Sequence, residues 1–250
     1  MRQIAVSLAL LLMAASPAVA DPAEEAYAAG RYLEAASIAE EAGGSDNLAR
    51  AARCLLANEV AAGTLDEAVL RRAEKLARVA LQEEPDHAEA RLQLAIALSM
   101  QSRLMSTREV LNAGYGKVGR ELAEGVLEDD PSNVYAHGFL AVWNVEVLHR
   151  GGSLGAAWFG ASLSTAREHF EKARQLDADN ASICWQYARA LAAQDYRRNQ
   201  DEIFEVLTCA LEARANSEMD RLMQARARDF WTFARGHSGK QIEARAADLL

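Results

Sequence analysis

Proline, cysteine and aromatic residues are all scarce in this chain. Its 250 residues hold four prolines, three cysteines and 6% Phe, Trp and Tyr together. Three cysteines are too few, and odd in number, to form a disulfide framework. Cys54, Cys184 and Cys209 can all serve as small buried apolar residues. In an oxidising compartment Cys184 and Cys209 are the only plausible pair, because they fall on two successive predicted helices. Runs of alternating Val, Ile and Tyr are nearly missing, which argues against sheets. Half the composition is apolar, alanine is abundant, and the chain reads as all-α. Basic residues are outnumbered, 27 to 36, for a net charge of −9. An acidic chain repels phosphate backbones, so no nucleic-acid partner is expected.

Motifs for chemistry are also missing. None of His87, His137, His149, His169 and His237 stands in a His-x-x-x-His pair or beside a Cys-x-x-Cys, so no zinc site is expected. There is no Gly-x-Ser-x-Gly elbow and no Walker-type loop. Asp129 and Asp130 are adjacent acids in a turn before a helix, the usual setting of caps and dipole partners. No cofactor is expected. An enzyme would need a site assembled from scattered residues such as His137, His149 or Cys184, in a closed polar pocket of converging titratable groups. A binding module would instead show an open groove or an apolar patch.

What is present begins at the N-terminus. Arg2, an apolar run from Ile4 to Ala15 and Ala18-Val19-Ala20 form the three parts of a secretory signal peptide over residues 1–20. The run is short for a membrane span. Cleavage after Ala20 would remove one Arg and no acid, taking the charge from −9 to −10. The expected mature protein is periplasmic, with no transmembrane segment.

Helical repeats follow. Ser164 to Leu191 is the clearest stretch: Ala166, Phe170 and Ala173 share one helix face, Asp177 to Asn180 make a turn, and Tyr187, Ala188 and Leu191 share a face of the next helix. Thr165 and Glu168 have capping-box spacing. Ala73, Ala77 and Ala80 precede Pro85, and Leu94, Ala95 and Leu98 follow it. Small residues on one helix facing large ones on the next let two helices pack closely. The breaks recur at Pro85, Pro131 and Ala178, at intervals of 46 and 47 residues.

These features resemble the tetratricopeptide repeat, whose standard period is about 34 residues. The resemblance covers most of residues 22–236. It implies a right-handed superhelical solenoid of antiparallel helix pairs, closed by a capping helix over residues 217–236, with residues 237–250 as a tail or short helix. It further implies a non-catalytic scaffold that binds a protein or peptide partner in a concave groove. Mapped onto this chain, the family's groove positions are Tyr135, Val142 and Glu146 in one repeat and Trp185 and Arg189 in the next; Trp185 could equally be core. A weaker likeness is to the periplasmic tetratricopeptide partner of TRAP-type solute transporters. It rests on the signal peptide, the long repeats, Glu202-Ile203-Phe204-Glu205-Val206-Leu207 and Arg221-Leu222-Met223-Gln224-Ala225-Arg226-Ala227, and it would add a small apolar ligand. The spacing around Glu168-His169-Phe170-Glu171-Lys172-Ala173 is also similar to eukaryotic regulators of microtubule dynamics, a likeness of fold only.

The extra length lies in two inserts, about Ser102 to Gly116 and Arg150 to Ser162, at the same point of successive repeats and therefore on one edge. Tyr115, Trp158 and Phe159 sit there among glycines and small residues. Such segments are not expected to form a rigid apolar helix of their own. Their aromatics either cover the underlying helices or form a site for an apolar ligand or partner segment.

Overall fold

The computed structural model describes residues 21–249. The expected signal peptide lies outside them. Among the described residues there are thirteen helices and no strand: α1 (Pro22–Ala28), α2 (Tyr32–Ala42), α3 (Ser45–Ala62), α4 (Glu67–Glu83), α5 (Ala88–Ser102), α6 (Thr107–Ala113), α7 (Tyr115–Asp129), α8 (Val134–Phe159), α9 (Leu163–Leu176), α10 (Ala181–Asp195), α11 (Gln200–Glu212), α12 (Glu218–Ala234) and α13 (Gly239–Asp248). No described helix is long and apolar enough to cross a membrane.

Short turns make neighbours in sequence neighbours in space. The α4–α5, α7–α8 and α9–α10 turns are built alike. Each ends its first helix on an extended acid: Glu84 (φ −139°, ψ 92°), Asp130 (φ −135°, ψ 92°) and Asp177 (φ −145°, ψ 94°). Each starts its second helix on a side chain that accepts a backbone N–H: His87 from Ala90, Asn133 from Ala136 and Asn180 from Ile183. These turns repeat with the spacing read from the sequence.

The buried faces repeat in step. Ala73, Ala77 and Ala80 on α4 correspond to Gly119, Ala123 and Val126 on α7 and to Ala166, Phe170 and Ala173 on α9, and all nine are buried. The α7 set was not foreseen. A Cβ at Gly119 would lie 3.4 Å from the Phe139 ring, so α7 and α8 approach there with no room to spare. On the facing helices Leu98 and Leu191 correspond to Asn144, which is also buried. Asn144 Nδ2 donates to Leu140 O (2.8 Å), and its Oδ1 accepts from Ser162 N (3.1 Å) at the start of α9. A buried amide is tolerated because both its ends are satisfied.

Several expectations need correction. The cap of α9 is Ser162, whose Oγ accepts from Thr165 N, not the pair Thr165 and Glu168. Both inserts are largely helical: α6 lies in the first, and α8 runs through the second with one break at Gly152. Residues 217–236 do more than close the last pair. The α12 helix packs on α10 and α11 and also reaches α3, where Arg226 donates to Val60 O (2.6 Å). One core cluster accordingly joins Tyr32 and Ala57 to Trp185, Met223 and Phe230. The C-terminal segment is an ordered helix, α13, seated on α10 through Ile242 and Ala246.

A disulfide joins Cys184 on α10 to Cys209 on α11, and Cys54 is a buried free thiol.

Candidate functional site

The two inserts enclose a pocket of about 610 Å³, within the size range of small-molecule sites. Its walls come from the end of α5, from α6, from the start of α7 and from α8 between Phe139 and Phe159. Local sequence explains each wall. Ser106 and Glu109 cap α6 reciprocally, and Gly114 at φ 70° turns the chain from α6 directly into α7. Gly152, at φ 59° and ψ −156°, breaks α8 and re-aims its last turns, which Gly160 then ends in the left-handed conformation.

The floor is aromatic. Trp143 is buried and donates from Nε1 to Gly116 O (2.9 Å), linking α8 to α7. Phe159 meets Trp143 edge-on, with ring centroids 6.2 Å apart. Arg120 lies over the Trp143 ring at 5.6 Å and donates to Phe159 O (2.7 Å), pinning the end of α8. The rim is open: Trp158 is 83% exposed and Leu154 85% exposed, with Leu111 on the opposing α6 also exposed. Large apolar side chains held in water on both sides of an apolar hollow are the mark of a surface built to be covered.

Of the eight residues singled out from the sequence, the structure brings Tyr115, Glu146, Trp158 and Phe159 to this pocket. Tyr135 is 63% exposed and lies apart from it, and Val142 packs against the main core. Trp185 has no exposed surface; it meets the Phe230 ring edge-on at 5.8 Å. Arg189 is buried as well. The expected open groove at these two positions is therefore occupied, because α12 and α13 pack on α10.

Glu146 and Arg189 do meet, as an ion pair at 2.5 Å beneath α13. Burial alone would raise the Glu146 carboxyl, but Arg189 and Arg103 beside it hold it below the usual carboxylate value. Arg189 also donates to Ala246 O (3.4 Å), and Arg103 to Ala247 O (2.7 Å) and Leu249 O (2.9 Å). Two arginines thus receive the C-terminal carbonyls of α13, where the helix dipole is negative.

The residues that sequence reasoning missed are Trp143, Arg120 and Arg150. Arg150 donates from Nη1 to Ser102 Oγ (3.0 Å) and from Nη2 to Met105 O (3.1 Å) and lines the pocket. Its place at the start of the second insert was the one available signal.

The scattered catalytic candidates are held otherwise. Cys184 is in the disulfide, and His149 is exposed. His137 Nδ1 lies 2.9 Å from His169 Nδ1, with His137 Nε2 3.1 Å from Pro131 O. Burial, with His137 alongside, keeps the His169 imidazole below its ordinary pKa. Among the described residues no group of three or more His, Cys, Asp or Glu side chains could hold a metal ion. No protein-family model matches the chain, and no curated protein matches it.

Proposed function

We propose that this protein is a non-catalytic, tetratricopeptide-like helical scaffold that holds an apolar ligand in the pocket between its two inserts. The observation that carries the reading is the pocket itself: one apolar hollow walled by both inserts, with Trp158 and Leu154 exposed on its rim. The near-identical turns after α4, α7 and α9 support a solenoid of long repeats. The signal-like N-terminus and the Cys184–Cys209 bond support an exported, periplasmic protein. With α13 covering α10, the insert edge is a better binding surface than the concave groove.

A second reading, an apolar segment of a protein partner, is favoured by the extent of the open rim. Two single substitutions separate binding from packing. Trp158→Ala removes an exposed ring and is expected to change stability by less than about 0.5 kcal/mol. Phe159→Ala removes a ring packed on Trp143 and should cost about 2 kcal/mol, below the full core value because the ring is only half-buried. Titration with the apolar dye 1-anilinonaphthalene-8-sulfonate should show tight stoichiometric binding that Trp158→Ala weakens. Unchanged dye binding in both variants would remove the pocket as the site. A pull-down that depends on Trp158 while no small apolar probe binds would favour the second reading.

A further inference from the structure

The pocket carries a charge that its apolar walls do not explain. Three charged side chains line it: Lys117, Glu146 and Arg150. Glu146 is already engaged by Arg189 at 2.5 Å and by Arg103 at 3.9 Å. Lys117 stands at the surface, 3.6 Å from Glu121. Arg150 is half-buried, and both of its hydrogen bonds go to neutral oxygens, Ser102 Oγ and Met105 O. No carboxylate of the described residues forms an ion pair with it. Arg150 stands close enough to Arg103 to weigh, with Arg189, against the protonated form of Arg103. In a chain of net charge −9, Arg103 and Arg189 thus take up Glu146, and Arg150 is left without a carboxylate beside an apolar hollow. Cationic charge withdrawn from water without a partner is costly, and an anion delivered to it recovers that cost.

We propose that the insert pocket binds a single-chain amphipathic carboxylate, with its alkyl body against Leu111, Trp143, Leu154 and Trp158 and its head group on Arg150. The inference rests on the pocket being the binding site, as proposed above, and adds the class of ligand. A guanidinium has five N–H donors; two are taken by Ser102 and Met105, so a bidentate approach by a carboxylate stays open. The walls supply the driving force for the chain, and Arg150 supplies the selection of its end. A neutral chain of the same length would fill the walls and leave the guanidinium desolvated and unpaired.

The test compares dodecanoate with dodecanol, both below their micellar concentrations, by tryptophan fluorescence and calorimetry on the mature chain. Dodecanoate should bind at least about tenfold tighter than dodecanol, a difference of about 1.4 kcal/mol. Arg150→Gln should remove the preference by weakening dodecanoate. Arg150→Lys, which keeps the charge but not the fork, should retain part of it. Trp158→Ala should weaken both probes alike. Equal affinity for the two probes in the wild type, or a preference that survives Arg150→Gln, overturns the carboxylate assignment and leaves the pocket standing. If neither probe binds, the pocket reading falls with it. Co-sedimentation with phosphatidylglycerol vesicles without binding of free dodecanoate would assign the edge to a membrane surface and overturn the proposal.

Discussion

Two adjacent glycines in the second insert should respond oppositely to the same substitution. Gly151 has helical backbone angles, whereas Gly152 has φ 59° and ψ −156°. A Cβ at either position would meet no atom within 4 Å, so crowding plays no part. At Gly151, alanine removes the conformational freedom of glycine from the unfolded chain and should stabilise by about 0.5–1 kcal/mol. At Gly152 the same gain is opposed by backbone strain, because this region of φ and ψ is almost closed to residues with a Cβ, at a cost of about 1–3 kcal/mol. The net expectation for Gly152→Ala is a loss of about 1–2 kcal/mol. For a chain of this size that is a fall of about 2–8 °C in Tm, against a rise of about 1–4 °C for Gly151→Ala. Urea and thermal unfolding followed by circular dichroism measure both. Straightening α8 through residue 152 could relieve the strain, but it would swing Trp158 and Phe159 off the pocket, so dye binding should fall along with stability. If Gly152→Ala is as stable as Gly151→Ala and binds dye normally, the break at Gly152 does not shape the pocket, and the reasoning fails.

Other expectations concern the body of the molecule. The bond between Cys184 and Cys209 closes a loop with a sequence separation of 25 residues; replacing both with alanine should cost about 3–4 kcal/mol by chain entropy, and an unchanged urea midpoint would argue against the bond. Glu146→Ala leaves Arg189 buried without its carboxylate and should cost about 3–5 kcal/mol. In the wild type, the contribution of Glu146 is complete above its unfolded value of about 4.3 and is lost as pH falls through the lowered folded value, so Glu146→Gln should flatten the acid limb of a stability profile. His169 has the opposite chemistry but the same direction. Its folded pKa lies below the ordinary 6.5, so the unfolded chain takes up the proton first and stability declines as pH drops below about 6.5. His169→Asn should remove that part of the decline, and an identical profile from pH 7 to 5 would count against the His137–His169 contact.

Much of the helix layout was legible in the sequence because helix formation is written locally. Apolar residues three and four apart define a face wherever they occur, and acids, Asn and Pro mark the turns. Hence the faces read at Ala73, Ala77 and Ala80, at Leu94, Ala95 and Leu98, and at Tyr187, Ala188 and Leu191 lie on α4, α5 and α10 and are buried there. The fixed spacing of the breaks placed both inserts on one edge, and that edge holds the pocket. The α7 helix was harder to see, because Gly119 takes the place of an alanine and glycine is a poor helix former. Its fit comes from the Phe139 ring on the neighbouring helix, which no local pattern announces.

What only the tertiary structure decided is which surface covers which. Trp185 and Arg189 stand at the positions that would face an open groove, yet α12 and α13 fill it. Nothing in residues 239–248 names α10 as their partner; a short amphipathic helix with Ile242 and Ala246 on one face fits many grooves. The choice is made by the summed packing of that face and by Arg103 and Arg189, which receive the last carbonyls of α13 from helices far away in sequence. Arg150 is a similar case. As a letter it is one more surface cation at the end of a helix. Only the fold, by setting it against Ser102 and Met105 beside an apolar hollow and spending Glu146 on other arginines, leaves its charge unanswered. Local pattern determines the elements because it depends on neighbours along the chain; the site depends on contacts between segments tens of residues apart, which exist only after the helices have packed.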